Sequence, residues 1–189
     1  MTTYRAIGAA TLAVLAIALA TRVGTTVTRV AIQGSFVQSS LPDLVKHAQA
    51  VAIVEMTAAP SEHWNSEGNK SWGTLGVDSF IYRDVPLKVV TVLSGSLPST
   101  LTVRDLGGTA DGFEFVFDGS ADWEVGSRYL VFLEWRKFPV REGTEESWTP
   151  VRLCQGVFSW TGHDWFEHIQ DIHIAADGAK DVVALLPPR

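Results

Sequence analysis

The sequence predicts a mainly β protein, one closed barrel or small sandwich of five to six short strands, and three observations carry that prediction. Tyr129 to Trp135 reads Tyr-Leu-Val-Phe-Leu-Glu-Trp, apolar or aromatic at every position but one. An extended segment of that kind is covered on both faces, so it reads as a central strand. Its burial contributes on the order of 10 kcal/mol before chain entropy, at roughly 1.5 to 3 kcal/mol per side chain. Val85, Leu87 and Val89 alternate toward one face, and so do the rings of Phe113, Phe115 and Phe117, the period-two signature of half-buried strands. Glycine punctuates the chain at short intervals, at Gly95, Gly107-Gly108, Gly119 and Gly126, as the corners of a β fold require.

In chain order, residues 1–5 carry one positive charge and Ala6 to Ala20 hold nothing more polar than Gly8 and Thr11. This apolar helix ends in Ala18-Leu19-Ala20, the small-residue spacing that a signal peptidase requires. Fifteen residues fall short of the ~18 to 20 that span a bilayer, which favours a cleaved signal peptide. Arg22 and Arg29 follow the apolar run, which keeps a signal anchor and membrane attachment through residues 6–20 in view. Residues 21–39 read as a stem with a short strand around Val27 to Ile32, and 40–189 as the folded domain with a C-terminal extension. Ser40-Leu41-Pro42-Asp43 opens a short helix near residues 41–49, with Ser40 as N-cap, Pro42 in the first turn and Asp43 at the third helical position. Ala50 to Met56 follows as an apolar, β-branched strand.

Residues 58–76 contain Pro60, three glycines, Asn65 and Asn69, and form a loop longer than most structureless connections. Trp64 and Trp72 stand in it without apolar neighbours. An exposed indole on a loop anchors a protein or stacks on a sugar, whereas an indole folded back plugs the barrel mouth. Further strands run over Val77 to Leu93, Leu101 to Leu106 and Trp148 to Trp160, the last with a bulge at Gly156, and Lys137 to Ser147 reads as a charged hairpin loop. Trp165, Ile169 and Ile172 share one face of a C-terminal helix at helical spacing.

The chain has 189 residues, enough for one well-filled core, and a formal charge of −6. Nucleic acid is not an expected partner, because its recognition begins with a basic stripe. Cys154 is the only cysteine, which excludes an intrachain disulfide and any multi-cysteine zinc site.

The succession resembles a family of exported bacterial proteins with an OB-fold-like barrel, related to tissue inhibitors of metalloproteinases and netrin-type modules. The resemblance spans residues 40–160. It rests on the entry Leu41 to Val51, on Pro86-Leu87-Lys88-Val89-Val90-Thr91-Val92-Leu93-Ser94-Gly95, on Val125-Gly126-Ser127-Arg128-Tyr129-Leu130-Val131-Phe132-Leu133, and on Gln155-Gly156-Val157-Phe158. It implies a single OB-like closed barrel. The inhibitors chelate a protease metal through an amino-terminal cysteine. No cysteine precedes Cys154 here, so that mechanism does not carry over.

Catalytic chemistry has little to build on. His163 and His168 are five apart, which on a helix separates them by about 140° and cannot give the metalloprotease pair. Asp164, His168 and Asp171 do align on one helix face and form the single candidate metal patch, against the simpler reading of a solvated face. There is no Gly-x-Ser-x-Gly elbow, and Gly107 to Gly112 lacks the lysine of a phosphate loop, so no cofactor is expected. The reading is a non-enzymatic, exported module of the cell envelope, recognising a protein or glycan through the 58–76 loop, with Trp64 and Trp72, and the barrel rim. A metal-dependent hydrolase using Asp164, His168 and Asp171, or a purely structural envelope component, are its alternatives.

Overall fold

A computed structural model of the chain describes residues 13–22, 25–33, 38–65, 80–140, 143–167, 172–175, 182 and 184–186. Strands make up most of it. The helix α1 (Leu41–His47) starts where the sequence places it. The Ser40 hydroxyl accepts from the Asp43 N–H, and the Asp43 carboxylate accepts in return from the Ser40 N–H, a reciprocal cap that satisfies two orphan donors. Hydrogen bonds from Ser40 hold the Asp43 carboxyl below its usual range. The helix buries Leu44 and Val45 and ends one turn later, when the Ala48 N–H returns to the Leu44 carbonyl.

Strand β3 (Ala50–Met56) pairs antiparallel with β5 (Ile81–Ser94), and β5 with β6 (Thr100–Leu106). A parallel pairing joins β6 to β10 (Gly143–Pro150) at Val103 and Trp148. Strand β10 then pairs antiparallel with β9 (Arg128–Val140), and β9 with β3, so the five pairings return to their starting strand. The turn between β5 and β6 depends on Gly95 at φ +76, where a Cβ would lie 2.3 Å from the Gln49 carbonyl oxygen.

Strand β9 sits between two cores. Tyr129, Val131 and Leu133 point into a cluster with Ala52, Val54, Met56, Val85, Leu87 and Val103. Leu130 and Phe132 point the other way, into a cluster with Leu44 and Val45 of α1, Val51, Phe158, Trp165 and Ile174. The five residues from Tyr129 to Leu133 are all essentially buried, which is why the sequence alternates nothing there. A second sheet places β1 (Ala13–Arg22) beside β2 (Thr25–Gln33), β2 parallel to β8 (Phe113–Phe117), and β8 beside β7 (Gly108–Ala110). Phe113, Phe115 and Phe117 meet Val30, Trp64 and Ile81 in a third cluster, with the three rings on one face as the alternation predicts.

The structure corrects four expectations. The apolar N-terminal segment is not helical over its described part: Ala13–Arg22 is a strand, paired through Val14, Ile17 and Thr21 with the β-branched run of β2. Residues 1–12 lie outside the described residues, and no described helix is long and apolar enough to cross a membrane. Much of Lys137 to Ser147 is not a loop, because β9 and β10 continue through it as a hairpin. Trp148 to Trp160 is not one strand: β10 stops at Pro150, a 3₁₀ turn covers Leu153–Gly156, and β11 (Val157–Trp160) resumes. Gly156 lies so close to Val151 that a Cβ would fall 2.6 Å from its carbonyl oxygen. Finally, the C-terminal helix is replaced by β12 (Asp164–Glu167) and β13 (Ile172–Ala175), antiparallel to one another, with Trp165 opposite Ile174. Pairing of Trp160 with Trp165, rings 4.8 Å apart, extends the β9–β11 sheet and outweighs the local helical spacing.

Candidate binding surface

Of the two tryptophans expected to recognise a partner, Trp64 is described, and it does not stand on an open loop. Trp64 closes β4 (Ser61–Trp64), which pairs with β5, and is 9% exposed with its ring 5.6 Å from that of Phe113. Its indole N–H has no hydrogen-bond partner among the described residues. Trp72 lies outside the described residues, as does the loop beyond Asn65 up to Val77. The metal patch fares no better. Asp164 stands on a strand, bonded to Thr161, so the helical alignment that joined it to His168 and Asp171 does not hold there, and those two lie outside the described residues. Among the described residues no group of three or more His, Cys, Asp or Glu side chains could hold a metal ion. Cys154 sits in the 3₁₀ turn, 5% exposed, and burial pushes its thiol up to about 12. It is a small hydrophobe, not a nucleophile.

Ionisable side chains gather instead on the two faces of the β5–β6 pair. Facing away from the first core, Arg104 is 7% exposed and clasps Asp84 through Nε and Nη2 at 2.7 and 2.8 Å, while Nη1 donates to Glu145 at 2.7 Å. His63 of β4 lies 3.0 Å from the same Asp84 carboxylate, and the rings of Tyr82 and Phe138 flank the guanidinium at 5.3 and 5.6 Å. Burial pushes the Asp84 carboxyl up, but the hydrogen bonds from Arg104 and His63 outweigh it and hold the group below its usual range. The Asp84 hydrogen bond raises Arg104 in turn. This cluster ties together β4, β5, β6 and the β9–β10 hairpin.

On the opposite face, in register with Val85 and Val103, Arg83 and Asp105 close one end of the first core. Asp105 is 2% exposed and accepts from Arg83, from the Trp123 indole at 3.0 Å and from the Ala121 N–H at 3.2 Å. Burial raises its carboxyl above the usual range. Arg83 also lines an open cleft of about 470 Å³ with Glu62, Gly108, Thr109, Phe117 and Asp122. Both ion pairs are positioned to hold strands together, the Arg104 guanidinium bonding through all three nitrogens and that of Arg83 through Nη2, its Nε having no hydrogen-bond partner among the described residues.

The surface that the sequence reading missed is at the far end of β9. Trp135 is 44% exposed, and its ring stands edge-on to that of Trp148 on β10, centroids 5.3 Å apart at 72°. Reading Tyr129 to Trp135 as covered throughout overlooked where β3 begins: the first β3–β9 pair is Ala50 with Leu133, so Trp135 lies two residues beyond that cover. The Gln49 side chain stands in for the missing strand and accepts the Trp135 main-chain N–H at 2.8 Å. The indole N–H donates to Glu146 at 3.3 Å, and Lys137 reaches the other oxygen of that carboxylate at 3.7 Å. Trp135, Lys137, Glu146 and Trp148 thus share one face of the hairpin, because Trp135 is opposite Trp148 and Lys137 opposite Glu146. The apolar–polar alternation Leu133-Glu134-Trp135-Arg136 was the signal available in the sequence that cover on one face ends there. No family model, no curated protein and no solved structure matches this chain.

Proposed function

We propose that the chain is a non-catalytic binding module of the cell envelope that recognises a protein or glycan through the face of the β9–β10 hairpin carrying Trp135. The observation that carries this reading is Trp135 itself, a residue 44% exposed and held by hydrogen bonds at both its main chain and its indole. A rigid, half-exposed aromatic is the residue type that dominates recognition surfaces, since it offers large apolar area and loses few rotamers on binding. The body that presents it is read as an OB-like closed barrel of β3, β5, β6, β10 and β9, a reading supported by the pairings that return to their first strand and by the parallel β6–β10 contact. Kinship with netrin-type modules is proposed on the same grounds together with the motifs of residues 40–160. Export through the apolar N-terminal residues remains part of the proposal.

The test is capture from a native envelope extract with the full chain and with Trp135→Ala, immobilised at equal density. Loss of the captured component with the variant, at unchanged thermal stability, supports the reading. An identical captured set overturns it.

A further inference from the structure

The partner classes admitted above differ in what they demand of a surface. Among the described residues the exposed large hydrophobics are Val90, Val125, Trp135 and Leu185, which stand on β5, on the turn before β9, on β9 and in the C-terminal segment. They are scattered singly. A stable protein partner requires about 800 Å² on each side, with an anchor surrounded by contacts that exclude water. A pyranose requires far less: one flat apolar ring to meet the C–H bonds of its face, with hydrogen-bonding groups at the rim to meet its hydroxyls.

Trp135 provides that arrangement. Its ring is held before any ligand arrives, by Gln49 at the main chain, by Glu146 at the indole edge and by the Trp148 ring beside it. Preorganisation of this kind reduces the entropy lost on binding. The Glu146 side chain is 47% exposed and that of Lys137 70% exposed, so a carboxylate and an ammonium stand at the rim, and a carboxylate accepts up to about four hydrogen bonds. The chain carries a formal charge of −6, which disfavours sulfated and uronic-acid polymers.

We propose that Trp135 is the stacking platform for one ring of an uncharged glycan, with Glu146 and Lys137 meeting its hydroxyls. This rests on the binding function proposed above and names its ligand class. The test is calorimetric titration of the full chain, and of Trp135→Ala, Trp135→Phe and Glu146→Gln, with short oligomers of N-acetylglucosamine, glucose, xylose and mannose, and with heparin as the anionic control. The expected result is binding of at least one neutral oligomer, weakened about tenfold or more by Trp135→Ala and less by Trp135→Phe. Loss with Glu146→Gln assigns that carboxylate its rim role. Binding of heparin alone, or equal affinity of wild type and Trp135→Ala, overturns the glycan assignment. If no oligomer binds while envelope capture still retrieves a component through Trp135, the glycan assignment falls and the binding function stands. If neither depends on Trp135, both fall.

Discussion

Replacing Arg104 with Met is expected to destabilise the fold by about 3 kcal/mol, and the magnitude follows from which of its partners stays wet. The bond to Glu145 contributes little, because that side chain is 54% exposed and exposed pairs are worth below about 1 kcal/mol. Asp84 is different: its side chain is 21% exposed and takes two short bonds from the guanidinium. Removing one partner of a buried pair costs about 3 to 5 kcal/mol, since the other charge is left uncompensated. The remaining exposure of Asp84 and its second partner, His63, place the cost at the lower end. Methionine keeps the apolar stem between Tyr82 and Phe138, so packing is largely retained. For a chain of this length the loss corresponds to roughly 6 to 12 °C in Tm. Urea unfolding followed by circular dichroism measures it, and a double variant sharpens it. Combining Arg104→Met with Asp84→Leu removes both charges and is expected to recover at least about 1.5 kcal/mol relative to the sum of the single changes. A cost below about 1 kcal/mol for Arg104→Met, or strict additivity in the double variant, refutes the clasp.

The same cluster sets an acid dependence. Asp84 titrates below its usual value of 3.8 in the folded state, so its contribution is complete above that value and is lost as pH falls through the folded one; Asp84→Asn is expected to flatten the stability profile below about pH 4, as chemical denaturation across pH reads out. Cys154, with its thiol up at about 12, is expected to resist alkylation in the folded chain at pH 8 and to react only at the rate of global unfolding, which mass spectrometry of timed labelling follows; prompt labelling contradicts the burial. Phe132→Ala empties a fully buried site on the α1 side of β9 and is expected to cost about 3 to 5 kcal/mol in urea unfolding. Gly95→Ala is expected to cost several kcal/mol or to prevent folding, because the new Cβ meets main-chain atoms of Gln49 and Ala50 at a positive φ; a variant as stable as wild type defeats that assignment.

Much of the body was legible in the sequence wherever local chemistry and tertiary packing agree. Ser40 and Asp43 announce α1 because the cap is made within four residues. The run from Tyr129 to Leu133 announces a two-sided strand because both faces are in fact covered. The failures came where a distant partner decided the outcome. Trp165 and Ile172 fit helical spacing, yet pairing of β12 with β11 and β13 takes them into a sheet. Lys137 to Ser147 reads as a loop by its charges, but on a hairpin those charges pair across strands, as Lys137 does with Glu146. The site shows the same division. Trp64 stood out for lack of apolar sequence neighbours, and its neighbour turned out to be Phe113 on another sheet. Trp135 was hidden by the apolar run before it, since the sequence does not show where β3 ceases to cover β9.

Whether a partner is met on the Trp135 face of the hairpin is tested most directly by in-cell photocrosslinking. Thr144 is replaced by p-benzoylphenylalanine, an exposed position on the same face of the hairpin as Glu146 and Trp135, with Asp118 beside the separate cleft as the control position. An adduct with an envelope component is expected from position 144, absent from position 118 and abolished by Trp135→Ala. An adduct that forms equally from both positions, or that persists without the indole, contradicts a partner met on that face.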